Sequence, residues 1–514
     1  MKNELLKYLK SSIDRDWLQY YSLDSMSNHE INEEKYCSQA LYQLTQHRLA
    51  EISAVAIKQP GKSVVFIVEQ NPVNFIAAFL AGVIAEVNLF LCDPAWKQQE
   101  WRQVFNLIEP DLIYADRTTQ DLIAKVGSTV INYADDKSNL SGSALIMIPT
   151  GGTSGKIRFA MHSWDTLRAS VTGFRDYFNC QQINSCCTLP LYHVSGLMQF
   201  MRSFVTQGNL LVCPYQIVKT KQITLDKWDY FISLVPTQLK FLLESIPDWL
   251  TQFKTVLLGG APATRSLLDT AREYNITIAL TYGMTETASG IVTLKPEDFL
   301  AGNNSSGRVL SHAQVNINHL SVAETAGSTE VEEVLGEEVK DKPANIKSQN
   351  IKHTDDQINR IGLIGLIEIS CTSLCLGYYP ELFTPGQPLV TDDLGYFDQE
   401  GYLHLIGRNS QKIITGGKNV FPAEVEEAIY ATKLVKDVCI IGIPDQKWGQ
   451  AVTAIYIPIK PEINLDLIKH KATQQIAKYK LPKNWIKVDS IPRNNRGKIN
   501  YQKLKMIAIK TVET

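Results

Sequence analysis

Residues 149–159 read PTGGTSGKIRF. Glycines at 151, 152 and 155 are interleaved with the hydroxyls of Thr150, Thr153 and Ser154, and two cations, Lys156 and Arg158, follow. Glycines let backbone N–H groups close on an anion, hydroxyls donate to its oxygens, and a cation neutralises it. The chemistry implied is phosphate binding. The spacing is not that of a Walker A loop: Gly151 to Gly155 is one residue short, and Ile157 stands where that motif needs Ser or Thr. The next residues, IRFAMH, alternate like a strand, and Ser163 is a good N-cap for a helix through WDTLRASVTGF. The loop is therefore expected to join two strands, with no helix dipole directly behind it. By itself it is weak evidence.

Further groups recur in order along the chain. A glycine turn, Gly259-Gly260-Ala261, closes an apolar run. TYGMTET (281–287) follows another, and VTDD (390–393) precedes Arg408. ITGGKNVFPAEVEEAI (414–429) and PRNNRGK (492–498) complete the series. Their order and spacing together are far more specific than any one of them. With them the sequence resembles the adenylate-forming superfamily of acyl-CoA ligases, luciferases and peptide-synthetase adenylation domains, over nearly the whole chain.

The resemblance implies a role for each position. Thr150, Gly151, Gly152, Thr153, Ser154, Gly155 and Arg158 resemble the phosphate loop. Gly259, Gly260 and Ala261 resemble the turn that packs on adenine, and Tyr282 and Gly283 the residues that stack on and border it. Thr285 is similar to an α-phosphate contact and Glu286 to the Mg²⁺ ligand. Asp393 and Arg408 resemble the ribose contacts, and Lys498 the tail lysine needed for adenylation. Gly416 and Gly417 resemble the turn at the thiol's entry, and Ser410 the hinge. His193, in PLYHVSG, lies where the family places an acyl-site residue; Met284 and Ser289 flank the adenine motif. ATP, Mg²⁺ and coenzyme A are the implied co-substrates and cofactor. The chain departs from the pattern at Ile157-Arg158, usually Pro-Lys, so Arg158 takes the place of the loop-end lysine. It departs again at Asp392, usually Gly, which reads as a solvated turn residue, and at Ser410, usually Asp or Lys.

Such chemistry explains the residue types. A carboxylate is a poor acylating agent because oxide is a poor leaving group. Attack on the α-phosphorus of ATP gives an acyl adenylate, whose leaving group is AMP. Fixed donors and cations stabilise the charge that develops on the phosphates. The thiol's later attack needs another active-site face, so a small domain is expected to rotate. Within the superfamily the sequence most resembles o-succinylbenzoate–CoA ligases of menaquinone or phylloquinone biosynthesis, which convert 2-succinylbenzoate, ATP and CoA to the acyl-CoA, AMP and pyrophosphate. Another aryl- or fatty-acid CoA ligase, or a non-catalytic nucleotide-binding relative, remains open.

The elements that must position these residues are legible too. SVVFIVE (63–69), DLIYAD (111–116), YFISLVP (230–236) and TVLLGGAP (255–262) each precede a helical pattern, as in parallel α/β sheets. The fold expected is α/β. A large domain, 1–408, would contain parallel-rich subdomains and a β-barrel-like part, and a small mobile α+β domain, 409–514, would follow. The polar stretch 319–359 reads as a flexible insertion. The length of 514 residues suits about three folding units. The longest apolar run, 75–91, includes Glu86 and Asn88 and reads as a buried helix entering a strand rather than a membrane span. A net charge of −2 offers no field for nucleic acid or anionic membrane. Nine cysteines without CxxC pairs fit free thiols in a reducing cytoplasm, and the start of the chain has no apolar signal core. A small carboxylic acid is the expected partner.

Overall fold

The computed structural model describes residues 2–23, 31–35, 38–57, 61–127, 144–151, 156–220, 229–319, 362–493 and 499–512. The chain forms a large N-terminal α/β domain and a small C-terminal one, and the described residues build four sheets.

In a seven-stranded sheet, Ile146–Gly151, Asn88–Leu91, Val64–Val68 and Leu112–Ala115 lie side by side in parallel. Ile157–His162 then turns back antiparallel to Ile146–Gly151. In a nine-stranded sheet, the run from Ile278–Met284 through Thr255–Leu258, Tyr230–Leu234, Asn184–Cys187 and Leu210–Val212 to Leu18–Leu23 is parallel. Strand-to-helix repeats produce this, because a parallel return needs a crossover.

The helix Pro72–Ile84 occupies the centre of the largest core cluster, with strand residues Val65 and Ile67 on one sheet and Leu210 and Val212 on the other. Residues Phe75 to Ile84 are all buried, so the helix is apolar on every face because both sides of it are protein. Asn71 starts it by accepting from the N–H groups of Val73 and Asn74. The strand Asn88–Leu91 follows at once, as the apolar pattern predicts.

The part expected to be barrel-like is a four-stranded antiparallel sheet of Ala313–His319, Gly365–Cys371, Leu389–Phe397 and Leu403–Arg408. Its first two strands pair with His319 opposite Gly365. The insertion expected at 319–359 falls between these strands and, His319 apart, lies outside the described residues. Hairpin tips tolerate long insertions because closure entropy grows only slowly with length. Beyond the short helical turn Asn409–Gln411, the C-terminal sheet of Lys418–Val420, Ile413–Thr415, Gly449–Pro458 and Val435–Asp445, with Asn484–Lys487 beside it, packs on the helices Pro422–Ala431 and Tyr501–Val512. No helix among the described residues is long and apolar enough to cross a membrane.

Candidate active site

The phosphate-loop stem is a strand pair with Thr150 opposite Arg158 and Gly151 opposite Ile157. Gly152, Thr153, Ser154 and Gly155 lie outside the described residues. Thr150 is buried, and its hydroxyl has no hydrogen-bond partner among the described residues. A buried hydroxyl without a partner costs stability unless a ligand completes it. Lys156 and Arg158 are both exposed, but the Arg158 guanidinium lies 4.2 Å over the Tyr378 ring. Tyr378 sits on the next strand, opposite Ala160, and its hydroxyl donates to Glu286 Oε1 at 2.5 Å. Arg158, Tyr378 and Glu286 thus form one connected line. Tyr378 carries no sequence signal, because its strand reaches this sheet from more than 200 residues away.

Thr285 and Glu286 begin the short helical turn Thr285–Thr287. The Cys375 N–H donates to the Glu286 carbonyl at 2.7 Å. Fully buried His162 holds the Thr285 carbonyl through Nε2 at 2.8 Å, while Nδ1 faces the Thr166 hydroxyl at 3.0 Å. A carbonyl only accepts, so Nε2 carries the proton. Burial pushes the His162 pKa down to about 4, so the ring is neutral near pH 7. The second oxygen of Glu286 has no hydrogen-bond partner among the described residues. One carboxylate suits Mg²⁺ that arrives with a nucleotide and takes its other oxygens from phosphates and water.

Gly259, Gly260 and Ala261 follow the strand Thr255–Leu258, whose neighbour Ile278–Met284 ends in Tyr282, Gly283 and Met284. A Cβ at Gly283 would fall 2.1 Å from the Ser289 carbonyl oxygen, so only glycine fits. The Tyr282 ring is buried among Ile291, Ile367 and Leu403. Its hydroxyl donates to Asp393 Oδ2 at 2.9 Å, and Arg408 Nε donates to Asp393 Oδ1 at 3.3 Å. Asp393 and Arg408 face each other as a rung of the antiparallel sheet. The three residues meet from three strands.

Ser289 follows Ala288, and both hold positive φ, 96° and 50°. Such backbone costs about 1–3 kcal/mol per residue and collects at functional sites. The Ser289 hydroxyl accepts from Arg202 Nη2 at 3.0 Å. Arg202 is only 4% exposed, lies 4.0 Å over the Phe174 ring, and has no partner for Nε among the described residues. No carboxylate partners it among the described residues, and burial pushes its pKa down to about 10. The signal was present in VSGLMQFMRSFV, a largely buried helix whose one charged residue is this cation. His193 begins the same helix, Val194–Val205, and its Nε2 is 3.8 Å from Asp93 Oδ2. His193, in extended backbone, caps the start of this helix, and Arg202 lies near its other end. The structure places Ser289 and Met284 near the adenine motif and His193 toward Asp93.

In the small domain, Gly416 and Gly417 form the turn between Ile413–Thr415 and Lys418–Val420, with φ of 57° and 79°. A Cβ at Gly416 would come 3.0 Å from the Trp448 ring. Trp448 is 38% exposed, with Lys483 Nζ 4.5 Å and Lys447 Nζ 5.1 Å from its ring. Lys498 lies outside the described residues. The residues flanking it, Arg493 and Ile499, bridge each other, and Arg408 acts electrostatically on nearby Tyr501. Ser410 lies in the turn Asn409–Gln411, and Asp392, though exposed, lies in the strand Leu389–Phe397 rather than in a turn and accepts from the Ser410 N–H at 3.0 Å and from its hydroxyl.

Residues 48–337 match the model of the AMP-binding enzyme family, and 424–498 match the AMP-binding enzyme C-terminal domain. A 2-succinylbenzoate–CoA ligase of Enterococcus faecalis is 32% identical over 74% of this chain and 73% of its own. One of Bacillus cereus is 27% identical over 93% of this chain and 95% of its own. Among solved structures, o-succinylbenzoate CoA synthetase of Bacillus subtilis, in complex with the acyl-adenylate intermediate OSB-AMP, superposes with a TM-score of 0.74 at 23% identity, covering 98% of each chain. ATP-bound MatB of Rhodopseudomonas palustris superposes with a TM-score of 0.73 at 21% identity over 99% of each.

Proposed function

The chain belongs to the AMP-binding enzyme family, and from that premise we propose that it is an ATP-dependent acid–thiol ligase that joins 2-succinylbenzoate to coenzyme A. In the first step the succinyl carboxylate attacks the α-phosphorus of ATP, and pyrophosphate leaves. In the second the thiolate attacks the acyl carbon, and AMP leaves. The proposal assigns phosphate binding to the loop stem and Arg158, and the approach to the α-phosphate to Thr285. Glu286 would hold Mg²⁺, which supplies charge neutralisation at the phosphates. Gly259, Gly260, Ala261, Tyr282 and Gly283 would border the base, and Asp393 and Arg408 would hold the ribose. Lys498 would arrive with the small domain, whose boundary we set after Arg408. Gly416 and Gly417 would line the thiol's path, and Trp448 with its two lysines would offer a face and charge to its nucleotide end.

The observation that carries the choice of acid is Arg202. A buried guanidinium without a carboxylate is costly unless something completes it. 2-Succinylbenzoate has two carboxylates: one is adenylated, and the other needs a cation. Arg202 with Ser289 meets that need beside Met284, and His193 would border the pocket from the far end of its helix. The eight described cysteines are free thiols, seven of them buried, which supports a cytoplasmic setting. AMP release measured with a panel of carboxylic acids tests the reading. 2-Succinylbenzoate should be preferred, and preference for a fatty acid or a plain benzoate would replace it with another ligase of the same family.

A further inference from the structure

The two positions that depart from the family pattern near the domain junction, Asp392 and Ser410, are in contact. Their register explains why. Asp393 and Arg408 form the last rung between Leu389–Phe397 and Leu403–Arg408, so the preceding residue on one strand faces the turn that continues from the other. The first N–H groups of a helical turn have no partner within it. Asp392 supplies one from the neighbouring strand, taking the Ser410 N–H on Oδ1 at 3.0 Å and the Ser410 hydroxyl on Oδ2. A carboxylate makes stronger hydrogen bonds than a neutral acceptor. Glycine, the usual residue at 392, offers no such group.

The contact spans the point about which the small domain must turn. Two other contacts cross between the domains in the same arrangement. Glu427 accepts from the Arg265 N–H at 3.1 Å, and Lys240 donates to the Lys436 carbonyl at 3.0 Å. In this arrangement Tyr501, just beyond the Lys498 segment, lies within electrostatic range of Arg408, itself on the ribose carboxylate Asp393. The small domain thus turns Tyr501 toward the strand end that carries Arg408, the side on which adenylation would need Lys498.

We propose that Asp392 is a positioning residue for the two-step reaction: by capping the hinge turn at Ser410 it holds the small domain in the adenylating arrangement, and its release accompanies rotation to the thiol-accepting one. The inference rests on the ligase reading above. It does not place Asp392 in contact with substrate.

The test separates the two half-reactions. Acid-dependent pyrophosphate exchange reads adenylation, and CoA-dependent consumption of supplied acyl adenylate reads thiolysis. Asp392→Gly and Ser410→Ala should each slow exchange about 3- to 10-fold, the worth of one or two exposed hydrogen bonds. Thiolysis should not slow, and the KM for ATP should hold. Asp392→Asn keeps an acceptor for the Ser410 N–H and should restore most of the exchange. Equal loss in both half-reactions, as from general destabilisation, overturns the proposal, as does exchange unchanged in both variants. A wild-type protein that exchanges pyrophosphate with no acid would instead sink the ligase reading and this inference with it.

Discussion

Arg202 Nη2 stands 3.0 Å from the Ser289 hydroxyl, in a place where the guanidinium is buried and meets no carboxylate among the described residues. Two costs coincide there: a desolvated charge, and a backbone at positive φ through Ala288 and Ser289. Neither is a device for stability. Replacing a buried charge with an apolar group of similar volume is often neutral or stabilising. Arg202→Met should therefore keep or raise the melting temperature while lowering kcat/KM for 2-succinylbenzoate by about 10²-fold or more. An analogue without the ring carboxylate, 4-oxo-4-phenylbutanoate, should lose much less. Equal losses for both acids would remove Arg202 from substrate recognition.

Arg158, rather than Lys156, is the loop cation aligned with Glu286, through the Tyr378 ring. Arg158→Met should lower pyrophosphate exchange by roughly 10²-fold, the scale for losing one group aimed at developing charge. Lys156→Met should stay near wild type. Tyr378→Phe frees Glu286 Oε1 and should shift the Mg²⁺ concentration needed for half-maximal rate. The reverse ranking of the two cations in steady-state assays would overturn the assignment.

His162 predicts an acid-sensitive component of stability. Its folded pKa is about 4, below the ordinary 6.5. The unfolded chain therefore binds more protons between these values, and the contribution, present in full above about pH 6.5, is lost as pH falls toward 4. Its ceiling is about 3 kcal/mol from the size of the shift. Glu426, whose pKa burial raises to about 7, acts in the opposite sense: its folded form binds more protons, so stability is lost as pH rises from 4.5 to 7. Denaturant titrations of wild type and His162→Gln across pH 4–7 isolate the first. The variant should show a shallower loss on acidification, and an identical slope would contradict the assignment.

Lys498→Ala should abolish acid-dependent pyrophosphate exchange while sparing thiolysis of a supplied acyl adenylate. Exchange at the wild-type rate would remove Lys498 from adenylation.

Much of the architecture was legible because apolar period and turn chemistry are local. The alternation in IRFAMH and the cap at Ser163 give a strand pair followed by the helix Trp164–Phe178, as built. Asp393 and Arg408 could be paired through motif order alone. What escaped depends on contacts between distant segments. Tyr378 reaches Glu286 because a short hairpin strand adds to a sheet begun far upstream. Asp392 meets Ser410 because of a ladder's last rung, and Arg202 matters only once its helix is seen to be buried on that face. Residue type gave Asp392 no partner; pairing register made it a cap while leaving it exposed.

The central claim is the chemistry together with its acid. Purified protein with ATP, Mg²⁺ and CoA should release AMP and pyrophosphate in equal amounts with 2-succinylbenzoate and form its CoA thioester, with kcat/KM above that for benzoate, fatty acids or malonate. AMP release that needs no acid, or that follows another acid while 2-succinylbenzoate stays inert, would contradict it.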